Sequence, residues 1–322
     1  MRQRAGVLAL TCALLAGCGL QSANSFTPAA SPGLITPIDG VAGDPIVVGA
    51  KNFTEQLILG KMAVIALQVA GFEVVDRTNI PGSVAARTGM TNGEIDMEWE
   101  YTGTAWLTYL GQSAAIPDSE EQYEAVRDAD APNGLTWLPP APMNNTYAFA
   151  IRSESAAELG GITSLSQIAE LPVEQRTFCV EAEFASRNDG LEPMLAAYGI
   201  PLGDPQGVPR ENIRTLDTGA VYTALDSGSC NFGEVFTTDG RIAALGLTAL
   251  DDDRGYFPAY NVSAVLLTST LDEHPELADL FGEISPLLTD EVLIELNRRV
   301  DVDGEEPGDV ALDWMVSEGL VS

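Results

Sequence analysis

Two α/β units with a ligand cleft between them are what this sequence predicts, and three observations lead there. The chain has 322 residues, enough for about two domains of ~150 residues each. From Pro45 onward, strand-like apolar runs alternate with helix-like patterns. A stretch rich in proline, with Pro139, Pro140 and Pro142, then separates this succession from a second one of the same kind. The alternation favours largely parallel sheets covered on both faces.

Within the first succession, Ile46 to Ala50 is an apolar run of strand length. Ile58, Met62, Ile65 and Val69 recur at helical spacing and Gly71 follows them, so an amphipathic helix is expected to stop there. Phe72 to Val75 reads as the next strand, a short helix begins near Ser83, and a strand runs from Ile95 to Glu100. In that last strand Asp96, Glu98 and Glu100 alternate with Ile95, Met97 and Trp99, the pattern of one wet and one buried face rather than a catalytic carboxylate pair.

Strands of the second succession are expected at Tyr147 to Ile151, Thr177 to Val180, Ile213 to Leu216 and Cys230 to Phe236. Helices are expected near Leu191 to Tyr198 and Ala220 to Leu225, closed by Gly199 and Gly228. The tail from about Thr270 reads as helical, with Pro307 suited to a first turn and Gly319 to the position just past a helix end. No repeat of fixed period is visible, which excludes a solenoid.

The first residues read as a targeting segment. Arg2 and Arg4 precede a short apolar run from Ala5 to Ala16 that ends in Leu15-Ala16-Gly17-Cys18, which resembles a lipoprotein cleavage box. Residues 1–17 are therefore expected to be a signal peptide, Cys18 the lipidated first residue, and 18–43, rich in Ser, Pro, Gly, Ala and Thr, a flexible tether. The resemblance to a lipoprotein cleavage box implies a body at the outer face of the cytoplasmic membrane, held through its lipid. Cys12 leaves with the signal, so Cys179 and Cys230 are the two remaining thiols. Each opens an expected strand in an oxidising compartment, and either a bridge or two separate thiols fits.

With 16 basic against 47 acidic residues the formal charge is −31, so nucleic acid and anionic headgroups are not expected partners. Hydrophobic residues make up 45% and mean hydropathy is +0.07, the balance of a folded protein. His274 stands in Glu273-His274-Pro275-Glu276 with no nucleophile nearby and reads as a solvated residue at a helix start. No CxxC or HExxH occurs, Asp301-Val302-Asp303-Gly304-Glu305-Glu306 lacks the spacing of a calcium loop, and Asp251-Asp252-Asp253 reads as a solvated turn. No Walker loop or GxGxxG follows a strand. A binder rather than an enzyme is expected, with no metal and no cofactor; nothing requires more than a monomer.

Several segments resemble the glycine betaine, choline and proline betaine receptors of ABC importers. They are 47–56 (Val-Val-Gly-Ala-Lys-Asn-Phe-Thr-Glu-Gln), 100–105 (Glu-Tyr-Thr-Gly-Thr-Ala), 147–150 (Tyr-Ala-Phe-Ala), 183–187 (Glu-Phe-Ala-Ser-Arg), 237–241 (Thr-Thr-Asp-Gly-Arg), and Asp252-Asp253-Arg254 leading to Phe257-Pro258-Ala259-Tyr260. Their number and order extend over the chain from about Pro45. The resemblance implies a two-lobed type II periplasmic-binding-protein fold, with residues 44–143 plus 260–322 forming one lobe and 144–259 the other. It also implies capture of a small quaternary-ammonium osmolyte, glycine betaine or a relative, for delivery to an ABC permease.

The same resemblance implies an aromatic cage of Tyr101, Tyr147, Phe236 and Tyr260 around the cationic head, since a trimethylammonium donates no conventional hydrogen bond and suits π faces. It implies Arg187, Lys51 and Thr104 on the carboxylate side, which favours betaine over choline. Phe236 stands where relatives often carry Tyr, and Asn145 where they can show an acid, so Asn145 joins the polar set. Those two departures leave open a receptor of the same fold for another small solute. An envelope lipoprotein without an uptake role is the other alternative.

Overall fold

The structure is a computed structural model that describes residues 26–116 and 118–322. The leader and the Cys18 lipidation site lie outside the described residues.

Elements follow the expected order. The first run is β1 (Pro45–Lys51), α1 (Thr54–Ala70), β2 (Glu73–Ile80), α2 (Ser83–Thr91), β3 (Met97–Tyr101), the short α3 (Thr102–Thr104), α4 (Ser119–Asp130) and β4 (Leu135–Trp137). The second is β5 (Tyr147–Arg152), β6 (Phe178–Glu181), α5 (Ala182–Ser186), α6 (Leu191–Ala197), β7 (Ile213–Leu216), α7 (Thr218–Asp226), β8 (Phe232–Phe236), α8 (Arg241–Ala244) and β9 (Leu247–Ala249). The chain then returns through β10 (Val262–Leu267) to α9 (Thr268–Glu273), α10 (Glu276–Ile284), α11 (Asp290–Asp301) and α12 (Pro307–Ser317).

Two five-stranded sheets result, in the orders β2-β1-β3-β10-β4 and β7-β6-β8-β5-β9. In each, three neighbouring strands pair in parallel, a fourth (β10 or β5) runs antiparallel to them, and the edge strand (β4 or β9) pairs antiparallel with that fourth and so runs in the direction of the core. The expectation of largely parallel sheets therefore holds for the centre and gives way at one side. There β10 and β5 arrive from the other lobe, and a strand entering from outside a βαβ unit is not bound to run parallel.

Local signals explain several boundaries. Gly71 ends α1 at φ 110°, a backbone setting that a side chain disfavours. Gly199, Gly228 and Gly319 also have positive φ, and Pro307 sits in the first turn of α12.

Other expectations change on packing. The α1 stripe suggested one buried face, yet both sides are covered because α1 packs on β1 and β2 and also meets α11 and α12. The wet face expected of β3 does not exist: Glu98 and Glu100 are 3% and 1% exposed, since β3 is the central strand of its sheet. His274 is half-buried, its ring edge-on to Phe72 at 5.0 Å, rather than solvated.

The expected tether also differs over its described part. Ile35 and Val41 are buried in the first core. The Leu34 and Ile35 amides donate to the carbonyls of Gly319 and Leu320 at 2.9 Å each, and Ser31 exchanges backbone hydrogen bonds with Ser322. Two apolar anchors with backbone pairing hold an arm that shows no helical or strand periodicity. Cys179 and Cys230 form a disulfide with Cα atoms 5.9 Å apart, tying β6 to the start of its neighbour β8. No helix among the described residues is long and apolar enough to cross a membrane.

Candidate functional site

The parallel strands of both sheets point their carboxyl ends at the space between the lobes, where α/β sheets bind ligands. Lys51 ends β1, Tyr101 ends β3, Glu181 ends β6 and Phe236 ends β8. Tyr147 begins the antiparallel β5 and pairs in register with Phe236, so its ring reaches the same edge. The cleft holds about 550 Å³ of space, partly open to solvent.

All four expected cage residues line this cleft. They are connected through a fifth ring that the sequence reasoning did not assign, Phe53, the residue preceding α1. Phe53 stacks on Tyr101 at 6.2 Å and on Phe236 at 5.4 Å. Tyr147 lies 5.4 Å from Phe236 and meets Tyr260 edge-on at 5.4 Å. The result is an arc running Tyr101, Phe53, Phe236, Tyr147, Tyr260. Phe53 was within reach of sequence reasoning, because an aromatic two residues past the end of a parallel strand stands where such sheets bind ligands.

Burial pushes the Tyr101, Tyr147 and Tyr260 phenols well above their usual range, so they remain neutral. Tyr101 donates to Glu55 Oε1 at 2.7 Å, and Tyr260 donates to Asp189 Oδ2.

The expected polar residues also reach the cleft: Lys51, Thr104, Asn145 and Arg187 all line it. Lys51 Nζ lies 5.0 Å from the Tyr101 ring centre, and the Arg187 guanidinium 5.4 Å from that of Tyr147. Both cations already hold protein partners. Lys51 donates to Glu100 Oε1 at 2.6 Å, and Arg187 donates through Nε and Nη2 to Asp189 at 2.7 and 2.6 Å. The two parallel N–H groups expected to meet a ligand carboxylate are thus engaged inside the protein, an arrangement that nothing in local sequence signals.

Asn145 donates to Glu55 Oε1 at 2.8 Å. Its amide suits that place because a second carboxylate would repel the first. Glu55 also accepts from Asn297 at 3.0 Å and from Thr238 Oγ1, so one buried carboxylate gathers β3, the crossover, α11 and the turn after β8. Burial raises its pKa, against the pull of these hydrogen bonds.

Two acids missed from sequence, Glu181 and Glu183, line the cleft on the second lobe. Glu183 Oε2 accepts the Ser83 N–H at the start of α2 at 3.0 Å, bridging the lobes. Burial works to lift its pKa, but the Ser83 hydrogen bond and the charge of Lys51 hold it below the usual carboxylate range. A second crossing contact joins Arg241 to Asp301 at 3.4 Å. The two chain crossings run side by side, with Tyr260 N–H donating to Asn144 Oδ1 at 2.7 Å. Among the described residues no group of His, Cys, Asp and Glu could hold a metal ion.

The arrangement is therefore a ring-lined cleft with paired charges, suited to enclosing a small cation. A profile of the family described as the substrate binding domain of ABC-type glycine betaine transport system matches residues 44–317. The glycine-betaine-binding protein of Pseudomonas aeruginosa is 38% identical over 282 residues, covering 85% of this chain and 88% of that protein. The glycine betaine-binding protein YehZ of Escherichia coli is 33% identical over 282 residues, covering 86% of this chain and 92% of that protein. The solved structure of apo YehZ aligns with a TM-score of 0.62 at 30% identity, covering 86% of this chain and 99% of that one.

Proposed function

The chain belongs to the family of substrate-binding domains of ABC-type glycine betaine transport systems, and from that premise we propose that its arc of five rings holds the cationic head of a quaternary-ammonium osmolyte. The protein is a solute-binding component that works with an ABC permease and is similar to glycine betaine-binding receptors. Its role is capture and delivery, without chemistry on the ligand.

The observation that carries the site assignment is the convergence of Tyr101, Phe53, Phe236, Tyr147 and Tyr260 on one interlobe cleft. Each π face contributes roughly 0.5 to 2 kcal/mol toward a desolvated cation. Glu181 and Glu183 add negative charge on the second lobe, while Thr104 and Asn145 add polar groups and Lys51 and Arg187 line the cleft as cations paired with Glu100 and Asp189.

Closure follows from where these groups come from. Residues 44–143 plus 260–322 form one lobe and 144–259 the other, and rotation about the crossings near Asn144 and Tyr260 brings Glu183 to Ser83 and Arg241 to Asp301. The closed form is the one the permease receives. Residues 1–17 direct export, and Cys18 carries the lipid that anchors a monomeric body to the outer face of the cytoplasmic membrane.

Calorimetric titration of the chain from residue 26 onward with glycine betaine, choline and proline betaine tests this, alongside Tyr147→Ala and Arg187→Ala. Saturable binding lost in Tyr147→Ala and altered in Arg187→Ala is the expected result. Absence of heat with every quaternary ammonium would defeat the assignment and move the search to another solute.

A further inference from the structure

The Arg187 guanidinium is committed inside the protein. Nε and Nη2 donate in parallel to the two oxygens of Asp189 at 2.7 and 2.6 Å, and both side chains are almost fully buried, at 3% and 4% exposure. The remaining nitrogen, Nη1, faces Glu183 Oε1 at 3.5 Å. Asp189 Oδ2 also receives the Tyr260 hydroxyl, so one carboxylate holds both the cation over Tyr147 and the ring set edge-on to it. The second cation of the cleft, Lys51, is likewise paired with the buried Glu100.

A ligand carboxylate aimed at Arg187 therefore has two routes, and each is costly. It displaces Asp189, leaving a buried carboxylate without its cation, or it meets Nη1 alone in the field of Glu183. A quaternary ammonium that lacks a carboxylate meets neither obstacle, and the acids around the cleft attract it.

We propose that Asp189 is a specificity-determining residue: by occupying the Arg187 fork it cancels the advantage a carboxylate-bearing quaternary ammonium would otherwise have, so the cleft admits choline-type cations as readily as betaine-type zwitterions. This rests on the quaternary-ammonium reading of the same cleft. Asp189 acts through Arg187 and Tyr260 as a positioning residue.

The experiment is calorimetric titration of the wild-type protein and Asp189→Asn with choline and with glycine betaine. Asn keeps the volume and an acceptor for Tyr260 but removes the charge that holds the fork. In the wild type the two dissociation constants are expected to lie within about tenfold of each other. In Asp189→Asn their ratio moves about tenfold toward glycine betaine, the size of one charge-assisted hydrogen bond redirected to the ligand. A purely structural role would move both constants together. A wild-type preference for glycine betaine above about tenfold, an unchanged ratio in the variant, or a variant that binds neither ligand would each overturn the proposal. A wild type that binds neither ligand would instead defeat the quaternary-ammonium reading on which the proposal stands.

Discussion

Replacing Glu234 by Gln is expected to stabilise the protein in a way that grows with pH. Glu234 lies on β8, the central strand of the second sheet, and is 2% exposed. One oxygen accepts the Glu181 backbone N–H at 2.8 Å. Burial pushes its carboxyl up to about 8 from 4.5, and the nearby charge of Glu181 adds to the rise. Between those values the native state keeps a proton that the unfolded chain has released, so stability falls as pH rises by about 1.4 kcal/mol per pH unit. From pH 4.5 to 7 that is a loss of about 3 kcal/mol, complete only above the folded value. Gln keeps the volume and the acceptor and does not titrate. Urea denaturation of both proteins at pH 5, 6, 7 and 8, followed by tryptophan fluorescence, should show the variant's advantage rising from about 0.7 kcal/mol at pH 5 to about 3 kcal/mol at pH 7. Groups such as Glu183 and Asp130, whose pKa values are depressed, lose their contribution in more acid solution in both proteins, so the difference isolates Glu234. Parallel pH profiles for the two proteins would refute the reasoning.

Cys230→Ser opens a loop with a sequence separation of 51 and is expected to cost roughly 4 kcal/mol through denatured-state entropy; equal urea midpoints for variant and wild type under oxidising conditions would contradict it. Ile35→Ala should cost about 2 to 4 kcal/mol, because Ile35 is buried in the first core, whereas a residue in a free tether would cost nothing in the same assay. A Cβ on Gly240 would lie 2.5 Å from Arg298 Cβ on α11, across the lobe boundary. Gly240→Ala should therefore weaken ligand binding by at least about tenfold while leaving the ligand-free melting temperature unchanged, and a matching fall in that temperature would show that this contact forms without ligand and would refute its link to closure.

Much of the architecture was legible in the chain because it is written in local periodicity. The stripe through Ile58, Met62, Ile65 and Val69 and the stop at Gly71 describe α1 within a few residues. The strand ends carrying Tyr147 and Phe236 were readable because alternation and turn residues bound short strands, while the strand expected over Ile95 to Glu100 runs one residue further, to Tyr101. Phe53 was visible in the same segment as Lys51, but its role as the ring joining Tyr101 to Phe236 depends on two strands from different lobes.

Sequence by itself determined the order of elements and the two-unit α/β class, since backbone propensity and hydrophobic spacing act over a few neighbouring positions, and it was the resemblance of its motifs to a family that pointed to Tyr101, Tyr147, Phe236 and Tyr260. Only the tertiary structure decided that α1 is covered on both sides, that Glu98 and Glu100 are buried, and that residues 31–35 pack against the chain's end. It also decided that Lys51 belongs to Glu100 and that Arg187 belongs to Asp189. Periodicity reports which face of an element is apolar, whereas the partner of a charge is set by which surfaces meet and how fully they exclude water.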